Sequence, residues 1–251
     1  MMQMEWVYGV QPVLQVLNAG RRKATELRIH RSQRGKEVEE ILSLAAEKKI
    51  PVRQVDQISI PGLSADFLHQ GIVLQAESYP YLAVEKLYSI IDKQDSVLIL
   101  LLDQIQDPQN LGAILRTAQC AGVHGVIIPE RGGALVNPTV LKTSAGAAEW
   151  LSIYLVKNMA RTIEELKEKS VWIYGAEGGE SSQYDRETYP PRTALVLGSE
   201  GKGLRSLTRQ KCDVLISIPL QGKITSLNVS VATGILLYEV GRQWRNKSKS
   251  P

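Results

Sequence analysis

An α/β fold, with a smaller α/β unit preceding a larger, mostly parallel one, is what this 251-residue sequence predicts. Three observations lead there. From Ser96 onward, short apolar runs alternate with amphipathic helical segments, the signature of strand–helix units around a parallel sheet. Val97–Leu102 is apolar without a break, as expected for a central strand covered on both faces. The first 76 residues instead mix two amphipathic helix patterns with alternating strands, and a Tyr-Pro-Tyr break at 79–81 separates the two regimes.

Within residues 1–76, Trp6–Asn18 reads as a helix with Val10, Val13, Leu14 and Leu17 on one face, ending at Gly20 as C-cap. Leu27–His30 alternates as a strand, Val38–Ala46 reads as a second helix, and Pro51–Val55 and Gly71–Ala76 as further strands. Basic residues cluster at Arg21-Arg22-Lys23 and at His30, Arg31, Arg34 and Lys36, near element ends. They are read either as solvated loops or as a phosphate-binding rim. Residues 77–95 form the expected linker, with Leu82–Ile91 as a short bridging helix.

Residues 96–251 are the larger domain. The strand at 97–102 leads into a polar loop and the helix Leu111–Ala121. His124–Ile128 is the next strand, and helical and strand candidates continue through Pro138–Ala145, Leu151–Val156, Arg161–Lys169, Val171–Tyr174 and Thr193–Leu197. Val214–Ile218 is a buried-strand pattern stopped by Pro219. Beyond a loop with Gly222, Ser226 is the expected N-cap of a buried helix carrying Leu227, Val231, Ile235 and Tyr238.

Hydrophobic residues make up 43% and charged residues 22%, which fits a globular chain with a real core. The net charge of +4 and pI near 9.0 lean towards an anionic partner. Cys120 and Cys212 lack any CxxC partner, so neither a disulfide framework nor a zinc site is expected, and Cys120 falls in a helical apolar pattern that predicts burial. The three histidines are dispersed, so no metal site is expected. There is no basic-then-apolar leader and no uncharged run of roughly 18 residues, so no membrane is expected and the compartment is expected to be the cytoplasm.

Known chemistry-bearing motifs are mostly absent. There is no G-x-G-x-x-G, and in Gly198–Gly203 the lysine is followed by glycine, which excludes a P-loop. A nucleotide-binding module using that turn stays open as an alternative. What remains are three polar turns, each after an apolar strand: DPQNLGAILRTAQCAGV at 107–123, LVLGSEGKGL at 195–204 and ISIPLQGKITSLNVSVATGILLYE at 216–239. Each residue has a plain explanation alone: Asn110 as a helix cap, Arg116 as a surface residue, Glu200 as a turn residue, Ser226 and Asn228 as first-turn side chains.

In order, spacing and content the three turns resemble the motifs of the SpoU (TrmH-like) branch of the SPOUT RNA 2′-O-methyltransferases. YGVQPVLQVL at 8–17 and HQGIVLQ at 69–75 resemble the L30e-like RNA-binding domain often fused to such enzymes, so the resemblance spans nearly the whole chain. It is to bacterial enzymes that methylate a guanosine ribose in large-subunit (23S) ribosomal RNA. The resemblance implies a trefoil-knotted, mostly parallel catalytic sheet behind a small α/β substrate-binding domain. It further implies S-adenosylmethionine as methyl donor, held near Gly198, Ile218, Leu220 and Leu227, an RNA substrate, and a homodimer formed through the catalytic domain. Asn110, Arg116, Glu200, Ser226 and Asn228 are the implied catalytic set. Arg116 either assists deprotonation of the 2′-hydroxyl or, bound to phosphate, stabilises the developing alkoxide. A tRNA or other rRNA ribose methyltransferase, and a non-catalytic RNA-binding protein of the same fold, are the alternatives. The basic tail from Arg242 to Lys249 is read as a frayed terminus or an additional RNA contact.

Overall fold

The computed structural model describes residues 3–60, 69–179, 181–201 and 203–247; Lys202 and the last residues of the basic tail, Ser248 and Lys249, lie outside them. The chain forms two compact units, Met1–Pro80 with Val136–Trp150, and Tyr81–Leu135 with Leu151–Pro251.

The first unit contains β1 (Met4–Tyr8), α1 (Val10–Ala19), β2 (Ala24–His30), α2 (Lys36–Glu47), β3 (Val52–Val55) and β4 (Ile72–Glu77). Its sheet order is β1-β4-β2-β3, with β2 and β3 parallel and the other pairs antiparallel. The expected helix start at Trp6 is corrected: Trp6, Val7 and Tyr8 pair with Gln75, Leu74 and Val73 as strand residues. Gly9 at φ +98° turns the chain into α1, a conformation that favours glycine. Gly20 closes α1 in the left-handed region, its N–H donating to the Val16 carbonyl, as the sequence predicts.

The second unit opens with α3 (Glu85–Ile91), β5 (Val97–Asp103), α4 (Pro108–Cys120) and β6 (Gly125–Pro129). The chain then contributes α5 (Pro138–Thr143) and a 3₁₀ turn (Ala147–Trp150) to the first unit. It resumes with β7 (Ile153–Val156), α6 (Met159–Glu168), β8 (Trp172–Ala176), β9 (Ser182–Gln183), β10 (Arg192–Gly198), α7 (Ser206–Lys211), β11 (Val214–Ser217) and α8 (Val229–Lys247). The sheet order is β7-β6-β5-β10-β8-β11-β9, parallel throughout its named pairs. Ile99, Leu101, Ile127, Ile173, Ala194 and Val196 fill its core with no exposure, which is why the central strands read as unbroken apolar runs. No described helix is long and apolar enough to cross a membrane.

Several local expectations change in three dimensions. The helix expected from Leu111 starts at Pro108, because Asp107 caps it by accepting from the Gln109 N–H at 2.9 Å and proline suits the first helical position. Cys120 is exposed rather than buried, since its position on α4 faces away from the sheet side lined by Leu111, Ile114, Leu115 and Ala118. On α8 the buried residues are Val229, Thr233, Leu236, Leu237 and Val240, while Val231 and Tyr238 on the expected core face are each 51% exposed. Arg22 is not a solvated or phosphate-facing residue. It is buried at 5% exposure, pairing through Nη1 with Glu5 and through Nη2 with Glu149 at 2.5 Å.

Candidate functional site

The carboxyl ends of β8, β10 and β11 surround a cavity of about 560 Å³ in the second unit. Its floor is apolar, from Leu197, Ile216, Ile218 and Leu236, and Leu220 and Leu227 form outer walls. Polar groups come from Glu177, Ser199, Glu200, Thr225, Ser226 and Asn228. This is where an open α/β sheet presents free backbone groups to ligands.

Gly198, the last residue of β10, admits no side chain: a Cβ there would lie 2.1 Å from both the carbonyl carbon and the oxygen of Gly203. Gly203 is folded tightly back on the end of the strand, its N–H donating to the Ser199 carbonyl at 2.9 Å. That N–H is therefore spent within the turn, which weakens the nucleotide-phosphate alternative for Gly198–Gly203. Asp103, fully buried at the end of β5 and in register with Gly198, anchors the far side of the turn. It accepts from Arg205 Nε at 2.8 Å and Nη2 at 2.5 Å, and from the Arg205 N–H at 3.3 Å.

Asn228 is the centre of the polar wall. Its Nδ2 donates to Asn110 Oδ1 at 2.8 Å and to Glu200 Oε1 at 2.7 Å. Its Oδ1 accepts from the Ser230 N–H at 2.9 Å, the Ser230 hydroxyl at 2.5 Å and the Val231 N–H at 3.4 Å. Acceptors on one side and donors on the other allow only one orientation of this amide. Asn228 is thus the N-cap of α8, and the expected cap at Ser226 is corrected: Ser226 lies two residues before it, in the exposed loop that lines the cavity. Asparagine caps at least as well as serine, and Glu200 strengthens this end further by accepting the Val229 N–H at 3.3 Å. Asn110 is not a cap either; buried in the first turn of α4, it turns its amide oxygen to Asn228.

Three of the five proposed catalytic residues, Asn110, Glu200 and Asn228, are therefore joined directly, and Ser226 stands beside them on the cavity wall. Arg116 is exposed on α4 and makes no hydrogen bond or ion pair among the described residues. Gly198, Ile218, Leu220 and Leu227 all line the cavity. Sequence reasoning passed over Ser230, Asp103 and Arg205. An aspartate ending an otherwise apolar strand was the available signal for Asp103; Ser230 had only its position two residues beyond an asparagine. No three His, Cys, Asp or Glu side chains among the described residues converge as metal ligands would.

Residues 97–238 match the model of the SpoU rRNA methylase family. The chain belongs to that family. Residues 6–82 match a second model, described as the RNA 2′-O ribose methyltransferase substrate-binding family. Among curated SpoU relatives, the 23S rRNA (guanosine-2′-O-)-methyltransferase RlmB of Xanthomonas campestris is 41% identical over 96% of this chain and 97% of its own. The enzyme of the same name from Pseudomonas aeruginosa is 40% identical over 97% and 98%. The SpoU methyltransferase AviRb from Streptomyces viridochromogenes, solved with AdoMet, shares the fold at a TM-score of 0.79 and 23% identity, covering 97% of this chain and 91% of that one. The A. aeolicus TrmH/SpoU tRNA modifying enzyme matches at a TM-score of 0.56 and 32% identity, over 66% of this chain and 84% of that one.

Proposed function

We propose that this SpoU protein transfers a methyl group from S-adenosylmethionine to the ribose 2′-oxygen of a guanosine in 23S ribosomal RNA. The observation that carries the reading is the Asn110–Asn228–Glu200 network at the mouth of an apolar cavity. Capping a helix requires only the Oδ1 side of Asn228; the opposite side is tied to a buried amide and a carboxylate that a cap does not need. The relatives named for 23S rRNA match 96–97% of this chain, whereas the tRNA-modifying structure matches 66%, which favours the ribosomal substrate.

The cavity fits the methyl donor. Gly198 carries no side chain where the backbone closes on Gly203, and Ile218, Leu220 and Leu227 offer apolar surface beside free backbone groups. When bound there, S-adenosylmethionine supplies a methyl already activated on a positively charged sulfur, so the chain needs no covalent nucleophile. Its own residues then orient and exclude. Asn228, its amide wholly committed to five hydrogen bonds, fixes the wall, and the Ser226 hydroxyl beside it holds the ribose edge. Glu200 holds the turn and the start of α8 at one distance from each other. Arg116 makes no hydrogen bond or ion pair among the described residues, and in this reading its guanidinium binds phosphate and stabilises charge developing on the 2′-oxygen.

The same reading places a trefoil knot in the second unit. The tight approach of Gly198 to Gly203 and Leu204, together with the return of the chain to Glu200 at Val229, supports it. A crystallographic trace of 198–229 that never passes through a loop would sink the knot. Leu220, Ile224, Val231 and Tyr238 are exposed apolar residues on the cavity loop and α8, and a second copy of the chain covers them in this reading. Sedimentation tests the dimer: Val231→Glu should yield monomers, and a monomeric wild type would contradict it. In this reading the protein works in the cytoplasm, where it meets its rRNA substrate.

The test of function is incubation with methyl-labelled S-adenosylmethionine and separated RNA fractions. Label should enter large-subunit rRNA with the wild type and fall at least a hundredfold with Arg116→Ala. Labelling of tRNA alone would favour the other ribose methyltransferases, and cofactor binding without any RNA labelling would point to an assembling particle as substrate.

A further inference from the structure

The cavity carries a second carboxylate that the network around Asn228 does not use. Glu177 directly follows β8, and its N–H donates to the Ile216 carbonyl at 2.9 Å, so its backbone is fixed between β8 and β11. Its Oε2 accepts from Arg209 Nε at 2.5 Å, and its side chain is 26% exposed. Oε1 accepts no hydrogen bond among the described residues. Glu177 and Glu200 are the two charged side chains among the described residues lining the cavity, and Glu200 gives its Oε1 to Asn228 and Val229.

An arginine-oriented carboxylate on a cavity wall, with its second oxygen unpaired among the described residues, is an acceptor waiting for a donor. The pair Glu177–Arg209 is electroneutral, so it offers little net attraction to a cation, but its free oxygen still forms a strong charge-assisted hydrogen bond with a hydroxyl. An acidic side chain just past a strand's carboxyl end holds a ribose in other open α/β sheets through the same chemistry. We propose that Glu177, oriented by Arg209, accepts the ribose hydroxyls of the adenosyl group of the methyl donor. The assignment rests on the methyl-transfer reading and adds to it a side chain that selects a ribose over a deoxyribose.

Calorimetric titration of the full-length protein separates the two. The ligands are S-adenosylhomocysteine, 5′-methylthioadenosine, which keeps the diol and lacks the amino-acid part, and the 2′,3′-dideoxy analogue of the latter. Glu177→Gln should weaken the first two ligands equally, roughly tenfold or more, and bind the dideoxy analogue as the wild type does. Arg209→Gln should give a smaller loss in the same direction. An unchanged affinity for S-adenosylhomocysteine in Glu177→Gln overturns the proposal while the methyl-transfer reading stands. Loss for S-adenosylhomocysteine but not for methylthioadenosine assigns the carboxylate to the ammonium and also overturns it. A wild type that binds none of these ligands overturns the methyl-transfer reading and the assignment together.

Discussion

Asn228 Nδ2 donates to Asn110 Oδ1 at 2.8 Å, joining the first turn of α4 to the cap of α8 across 118 residues of chain. The same amide reaches Glu200 and, with its oxygen, starts α8, so one side chain ties two segments of the cavity wall to α4. Its two faces can be separated by mutation. Asn228→Ser keeps a capping oxygen and loses the bridging NH2; Asn228→Ala loses both.

The expected outcome is that Asn228→Ser, which leaves the buried Asn110 oxygen without its donor, loses about 1 kcal/mol in denaturant melts, while Asn228→Ala, which also loses the cap, loses about 2 kcal/mol. Both should lose methyl transfer by a hundredfold or more. Full activity in Asn228→Ser would show that only the cap matters.

Gly198→Ala forces a Cβ onto the backbone of Gly203 and Leu204, which cannot rotate away as a side chain would. Overpacking of this kind costs about 1–3 kcal/mol or more. The variant should melt at lower temperature and bind S-adenosylhomocysteine poorly. Wild-type affinity would mean that the 199–203 turn is not part of the cofactor site.

The two thiols should behave oppositely. Cys120 is exposed on α4, whereas burial, with Asp213 adding to it, pushes the Cys212 thiol from an ordinary 9.0 up to about 12. Native protein at pH 8 should therefore consume one maleimide per chain, abolished in Cys120→Ser. Because the folded value is raised, the Cys212 contribution to stability is full below about pH 9 and is lost as pH rises towards 12. Alkaline melts of Cys212→Ala should show a shallower decline across that window; an identical slope would contradict the burial of this thiol.

In the first unit, Arg22 is enclosed by Glu5 and Glu149, and burial outweighs Arg22 in pushing the Glu149 carboxyl above its usual range. Removing Glu149 leaves the Nη2 side of Arg22 buried without its carboxylate while Glu5 keeps the Nη1 side, so Glu149→Ala should cost about 1–3 kcal/mol. The double variant Arg22→Met, Glu149→Leu should cost less than the single one. A single variant as stable as the wild type would show that water reaches this cluster.

How much of this was readable in one dimension follows from how local each determinant is. β5 and β10 were legible because burial on both faces leaves an uninterrupted apolar run. The three motif turns were legible by their order and content. The start of α8 was not: Ser226 and Asn228 are both competent caps, and Glu200 and Asn110, which settle the choice, lie far off in sequence. Arg22 read as a loop cation because its partner Glu149 is 127 residues away. Trp6–Tyr8 read as helix because Val10–Leu17 beyond them is strongly periodic, while their strand partners in β4 lie some 70 residues on.

The most direct test of the central claim is nucleoside analysis of rRNA after reaction with the wild-type enzyme and labelled S-adenosylmethionine. Unmethylated large-subunit rRNA is digested to nucleosides and separated by chromatography and mass. Label is expected in 2′-O-methylguanosine, at a single position that resists alkaline hydrolysis. Label in a base-methylated nucleoside, or none from an enzyme that binds the methyl donor and is offered both free rRNA and subunit particles, would contradict it.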